Sequence, residues 1–97
     1  MVTKDEAKKY LSDVSPEQCF WVNNGPILKN VLELRDALKS MGEKTFKHHV
    51  GKDRNDFAVW AENILEDADL AKTLKKSKTK SGASRSVGLY IKSFYAD

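Results

Sequence analysis

The sequence predicts a mainly α, compact single domain of five or six short helices, with a small β-hairpin near Asn24. Three observations support this fold class. A length of 97 residues is that of one domain. Leu, Ile, Val and Phe make up 23 of those residues, which is above the roughly one-fifth below which a chain stays disordered. Apolar residues also recur at helical spacing in several segments that begin at capping residues.

The sequence of the N-terminal region predicts one helix and the start of a second. Thr3 and Glu6 form a capping-box pair, and the apolar residues after them recur at helical spacing: Ala7, Tyr10, Leu11 and Val14. We expect a helix of about ten residues there. Pro16 after Ser15 is typical of a second helix start.

A tight turn is predicted next. The run Cys19–Val22 follows a helix-start signal, but its aromatic and branched side chains favour extended backbone, so both readings stay open. Asn23, Asn24 and Gly25 accept positive φ, and Pro26 keeps the residue before it out of helix. We therefore expect a turn between two short extended pieces.

Three further helices follow from their caps and apolar spacing. Asn30 is placed to cap a helix with Glu33 at its third position, and Gly42 is placed to end it; the apolar stripe is Val31, Leu34, Ala37, Leu38 and Met41. Asp53 or Asn55 is expected to cap the next long helix, which carries Phe57, Trp60, Ala61, Ile64 and Leu65. A short helix with Phe46, His49 and Val50 lies between them. The acidic stretch 66–69 favours a new helix start before Leu70, Ala71 and Leu74.

We predict that the chain consists of a helical domain followed by two C-terminal segments. Residues 1–74 form the helical domain. Residues 75–86 contain no large apolar side chain and are expected to be a basic, solvated segment. Residues 87–97 form an amphipathic element, and helix is favoured over strand because five large residues fit one helical face: Val87, Tyr90, Ile91, Phe94 and Tyr95.

Composition excludes several classes of protein. Cys19 is the single cysteine, so no internal disulfide and no thiolate cluster is available. The first ten residues lack the apolar run of a signal peptide, and no apolar run approaches the ~20 residues of a membrane span. We expect a cytoplasmic protein. Adjacent His48 and His49 point about 100° apart on a helix, so we expect no metal site. A domain of 97 residues has room for one core but not for a deep enclosed active site as well, so we expect no cofactor and no enzyme activity.

Charge is unevenly distributed along the chain. Residues 1–71 hold 10 basic and 13 acidic side chains, whereas residues 72–97 hold 7 basic and 1 acidic. A cluster of this kind is typical of phosphate contacts, with DNA or RNA as the partner. The predicted nucleic-acid-binding residues are Lys72, Lys75, Lys76, Lys78, Lys80, Arg85 and Lys92, with Tyr90 as a stacking group.

The distribution of charge also bears on how nucleic acid would be contacted and on which other functions are candidates. Glu62 and Glu66 would repel phosphate from the helix that starts near Phe57, so we expect backbone contact with little sequence preference. Solvated lysines and an anionic membrane surface are the electrostatic alternatives. A protein-interaction module that uses an apolar groove beside Trp21 or Trp60 is the other candidate function.

Four segments carry a resemblance to a known family. They are Phe20–Leu28, Leu32–Leu38, Thr45–Val50 and Asn55–Trp60. Together they resemble a small domain of unknown function found in archaeal and bacterial proteins, over about residues 19–74. The resemblance implies a compact module and no particular activity.

Overall fold

Five α-helices and a two-stranded antiparallel sheet make up residues 11–93, which are the residues that this computed structural model describes. A 3₁₀ turn, Pro16–Gln18, precedes the strands β1 (Phe20–Trp21) and β2 (Ile27–Leu28). The helices are α1 (Val31–Ser40), α2 (Glu43–His49), α3 (Asp56–Asn63), α4 (Ala68–Lys76) and α5 (Lys80–Ser93). The predicted mainly α domain with a small hairpin near Asn24 is confirmed. Most of the predicted helix after Thr3 lies outside the described residues.

The hairpin has one buried and one exposed face. Phe20 lies opposite Leu28, and both are buried, whereas Trp21 lies opposite Ile27, and both are exposed. Side chains alternate across a strand, so this register places the two apolar pairs on opposite faces. Asn24 adopts a φ of 56° in the connecting turn. The segment Cys19–Val22, for which the sequence allowed either helix or strand, is therefore extended.

Local capping starts three of the helices. The Asn30 side chain accepts a hydrogen bond from the Glu33 backbone N–H, and Glu33 accepts one from the Lys29 backbone N–H. Asn55, one of the two predicted caps, accepts from Ala58 and begins α3. Asp67 begins α4 in the same way, at the acidic stretch where a new helix was predicted. Each cap satisfies a backbone donor that the first helical turn leaves unpaired.

The prediction for Gly42 is wrong in its mechanism. Helix α1 ends at Ser40, its C-cap residue Met41 is extended, and Gly42 follows with a φ of −77° rather than in the left-handed conformation typical of a glycine that ends a helix. Gly42 instead precedes the first residue of α2, so the chain passes directly from one helix into the next.

Aromatic rings and one face of each helix form the core. Phe20 stacks on Phe57 with 4.8 Å between the ring centroids, and Trp60 packs edge-on against Phe20. The Trp60 indole N–H donates to the Gln18 carbonyl at 2.8 Å, which satisfies its polar atom. The largest fully buried side chains are Phe57, Leu28, Leu34, Leu38, Leu70, Leu74, Val31 and Val87.

The basic segment predicted over residues 75–86 is not a solvated linker. Its first residues end α4, Ser77 is buried, and α5 begins at Lys80 and buries Ala83. The Ser77 hydroxyl bonds to the Thr73 carbonyl and to the Ser86 hydroxyl. Small side chains let two helices approach closely, and here they pack on one side. Six of the twelve residues are exposed, so the segment is solvated on its other side: Lys75, Lys76, Lys78, Thr79, Ser81 and Arg85.

Helix α5 packs along α1 and continues through residues 87–93. The choice of helix over strand is confirmed for that stretch; Phe94 and Tyr95 lie outside the described residues. Within residues 11–93, no helix combines the length and the apolar character needed to cross a bilayer.

Candidate nucleic-acid interface

A groove of about 470 Å³ lies between α1 and α5. Four basic side chains line it: Lys39 from α1, and Lys80, Arg85 and Lys92 from α5. We call it the basic groove. Its remaining lining is uncharged and consists of Leu38, Ser81, Ser84, Gly88 and Leu89. The fold therefore brings three of the predicted phosphate-binding residues together and adds a fourth cation from a distant part of the chain.

Helical spacing on α5 explains this placement. Ser81, Arg85, Gly88 and Lys92 are 0, 4, 7 and 11 residues from the first of them, so they share one face. The core-facing residues of α5 form a different stripe, which consists of Ala83, Val87 and Ile91. Burial of that stripe fixes the rotation of α5 about its axis and turns the basic stripe toward the groove.

The four cations of the basic groove have no acidic partner among the described residues. The ion pairs within residues 11–93 involve other basic groups, and none includes Lys39, Lys80, Arg85 or Lys92. No acidic residue occurs between Asp69 and Asp97 in the sequence, so α5 supplies no carboxylate of its own. Within residues 11–93, no ion pair therefore compensates the positive charge of the groove.

The other predicted cations lie elsewhere. Lys72, Lys75 and Lys76 are exposed on α4, and Lys78 is exposed in the connection to α5. Lys75 contacts Glu62 of α3, with 3.4 Å between Nζ and Oε2. An exposed pair of this kind contributes about 0–1 kcal/mol, but it places a negative charge beside one member of the predicted set. None of these four lysines lines the basic groove.

Lys39 was not among the predicted residues. It lies in the last turn of α1, within the part of the chain whose net charge is negative. A charge count along the sequence cannot detect it, because its connection to α5 arises only from helix packing. Lys39 is exposed at the edge of the face that α5 covers, next to the buried Leu38, and no local sequence pattern marks that position.

The Tyr90 side chain contacts the core and Asp67, and it does not line the basic groove. Its ring is half-buried against the core, and its hydroxyl donates a hydrogen bond to Oδ2 of Asp67. The other oxygen of Asp67 accepts from the Leu70 backbone N–H at 3.1 Å. The predicted stacking residue therefore links α5 to the N-terminus of α4, and it is absent from the groove lining.

Burial raises the pKa of Asp67 above its ordinary value of 3.8, and the hydrogen bond from Leu70 offsets part of this rise. The folded protein therefore binds more protons than the unfolded chain at pH values between the ordinary and the raised pKa. We expect this carboxyl to lower the free energy of unfolding as pH rises through that window.

The variant Asp67→Asn isolates this effect, because its amide oxygen can still cap α4 while its side chain does not titrate. The expected result is that wild type loses stability relative to Asp67→Asn as pH rises above about 4, measured by urea unfolding at a series of pH values. A difference between the two proteins that is independent of pH would contradict the assignment.

The two histidines have separate environments. His48 is exposed, whereas His49 is buried. Nε2 of His49 accepts from the Asn23 backbone N–H at 3.0 Å, so Nδ1 carries the proton and donates to Asp56 at 3.0 Å. Among residues 11–93, no group of three His, Cys, Asp or Glu side chains is arranged to hold a metal ion.

No family model, curated protein or solved structure matches this chain. The resemblance of residues 19–74 to a small archaeal and bacterial domain therefore stays a prediction.

Proposed function

We propose that this protein binds the phosphate backbone of DNA or RNA in the cytoplasm, through the basic groove and with little sequence specificity. One observation carries the proposal: Lys39, Lys80, Arg85 and Lys92 surround a single groove without an ion-pair partner among the described residues. Ammonium and guanidinium groups in such an arrangement are the groups with which proteins neutralise phosphates.

The rest of the groove lining supports backbone contact rather than base recognition. The hydroxyls of Ser81 and Ser84 are further donors for phosphate oxygens. The described lining contains no Asn, Gln, Asp or Glu, which are the side chains that read adenine and cytosine edges. Arg85 alone has the planar fork that pairs with guanine. The groove therefore favours binding that depends weakly on sequence.

A salt series with charge variants tests the proposal. The variant replaces Lys39, Lys80, Arg85 and Lys92 with Gln, and its affinity for nucleic acid is measured by fluorescence anisotropy. Each lost phosphate contact reduces the slope of log affinity against log salt by about 0.7–0.9. We expect the slope to fall by about 3 units and the affinity at low salt to fall at least tenfold.

A matched control separates the groove from overall charge. Replacing Lys29, Lys44, Lys47 and Lys52 with Gln removes the same charge from exposed positions outside the groove. This control is expected to retain most of the wild-type slope. Absence of nucleic-acid binding at low salt, or an equal fall in slope in both variants, would overturn the proposal.

A second candidate function, protein interaction, is favoured by the exposed face of the hairpin. Trp21 is 71% exposed and Ile27 is 49% exposed, and the two lie opposite each other across the strands. Ile27 also lines a groove of about 540 Å³ with Glu33 and Asp36 of α1. Large exposed apolar side chains grouped in this way are typical of interaction surfaces.

The corresponding variant is Trp21→Ser with Ile27→Ser. Both side chains point away from the core, so the fold is expected to persist. A protein partner recovered with wild type should be lost with this variant and kept with the four-cation variant. Recovery of the same partner by the hairpin variant would exclude this surface.

A further inference from the structure

Resting on the proposed function, we propose that the basic groove holds a single strand of nucleic acid, with a base against its apolar wall, in preference to a duplex. The inference concerns the form of the ligand. It rests on how apolar and charged groups are arranged across the groove.

The groove has the shape of a valley between two packed helices. It is shallow and open to solvent along the line where the two helices pack. Leu38 forms part of the lining and is itself fully buried, and Leu89 forms an apolar wall that is 59% exposed. A duplex presents mainly its phosphates to such an open surface, whereas an unpaired strand can also lay a base against the exposed Leu89.

Gly88 leaves the groove open along α5. Apart from its two chain neighbours and the backbone of its own helix, a Cβ atom at this position would meet no atom within 4 Å, so no other described residue fills the space beside it. One helical turn on either side, Ser84 and Lys92 line the same groove. The open stretch therefore has an apolar wall at Leu89 and cations near its ends.

This arrangement matches the chemistry of an unpaired nucleotide. A base in a single strand exposes an apolar face that can lie against Leu89, and the planar guanidinium of Arg85 can stack on it. Phosphates several nucleotides apart on the same strand can then meet Lys80 and Lys92, which lie about 18 Å apart along α5. In a duplex the base faces are already stacked, so only the phosphates reach the rim of the groove.

The test compares three labelled probes of equal length: oligothymidylate, oligouridylate and a DNA duplex. Anisotropy titrations with the full chain at low salt are expected to give about tenfold or greater preference for at least one single strand over the duplex, because an apolar or stacking base contact is available only there. The two single strands distinguish DNA from RNA as the source of the shared chemistry.

Two uncharged variants locate the strand. Gly88→Leu fills the open space without changing a charge and is expected to lower single-strand affinity about tenfold, a larger loss than that of duplex affinity. Leu89→Ala removes an exposed apolar wall without filling the groove and should lower single-strand affinity about threefold or more. Ser93→Leu, on the same helix but outside the lining, is the matched control and should bind as wild type.

The outcomes separate this inference from the proposed function. Equal affinity for strand and duplex, with the salt dependence intact, would overturn the inference and leave the proposed function standing. A single-strand preference that survives both Gly88→Leu and Leu89→Ala would also overturn it. Binding to none of the probes, or binding to polyglutamate of matched charge as tightly as to the strands, would overturn the proposed function itself.

Discussion

A chain that ends at Leu74 is expected to show no cooperative unfolding transition, whereas the full chain unfolds in one transition. Truncation removes α5 and with it the buried side chains Ala83, Val87 and Ile91. It also uncovers the face of α1 on which α5 packs. Sequence composition places a domain boundary at this residue, and the packing of the helices places none there.

The expected size of this effect follows from the apolar surface involved. Fully burying a Val, Ile or Leu side chain stabilises a protein by about 1.5–3 kcal/mol. Val87, Ile91 and the groove-floor residue Leu38 together therefore represent about 5–9 kcal/mol. The free energy of unfolding of a domain of this size is about 5–15 kcal/mol, so loss of α5 is expected to remove most or all of it.

Thermal and urea unfolding followed by circular dichroism measure the outcome. The full-length variant Val87→Ala is the graded control and should retain a cooperative transition at a cost of about 1–3 kcal/mol. A truncated chain with a sharp transition near that of wild type would show that α5 is not part of the core. Because the fragment is expected to unfold, binding studies need substitutions in the full chain.

His49→Phe is expected to lower the free energy of unfolding by about 1–3 kcal/mol, although phenylalanine suits the aromatic surroundings. His49 packs against Phe20 and Phe57 with ring centroids 5.0 and 5.2 Å away. Its two nitrogens connect the Asn23 backbone to the Asp56 side chain. Loss of both bonds leaves the part-buried Asn23 N–H without this partner, which costs about 1–3 kcal/mol, whereas the Asp56 carboxylate is 36% exposed and retains Arg54.

The neighbouring histidine provides the control. His48 is exposed, and surface substitutions usually change stability by less than about 0.5 kcal/mol, so His48→Phe should unfold near wild type. The comparison is made by thermal unfolding, where each kcal/mol shifts Tm by about 4–8 °C in a domain of this size. Similar Tm values for His49→Phe and wild type would show that the two hydrogen bonds contribute little.

Features set by neighbouring residues could be predicted from the sequence. The cap at Asn30 satisfies a donor three residues away, and the turn at Asn24 needs a residue that tolerates positive φ. Both depend on chemistry within one short segment. The amphipathic stripe of α1 is visible for the same reason, because helical spacing alone reveals it.

Features that join distant segments could not be predicted. The bond from the Asn23 backbone to His49 spans 26 residues, and that from Tyr90 to Asp67 spans 23. No periodicity or local propensity encodes such a pairing. The continuation of α5 through serines and glycines was also missed, because close helix packing rewards small side chains that a composition count treats as solvent-exposed.

The candidate site was predicted only in part, because some of its residues lie on one helix and another joins them through helix packing. Lys80, Arg85 and Lys92 belong to one helix, so a charge count along the chain includes them. Lys39 joins them only because α1 and α5 pack together, and Tyr90 faces the core because the rotation of α5 is fixed by Val87 and its neighbours. Rotation about a helix axis is a property of packing.

Four like charges gathered in one valley also oppose the folding of the empty protein. Their mutual repulsion is present in the folded state and weaker in an expanded chain, so simple electrolyte should raise the melting temperature of the free domain by screening it. The same electrolyte lowers the affinity of the protein for a polyanion. Ionic strength is therefore expected to act with opposite sign on the unliganded fold and on its complex, and a bound polyanion should stabilise the domain most where salt is scarce.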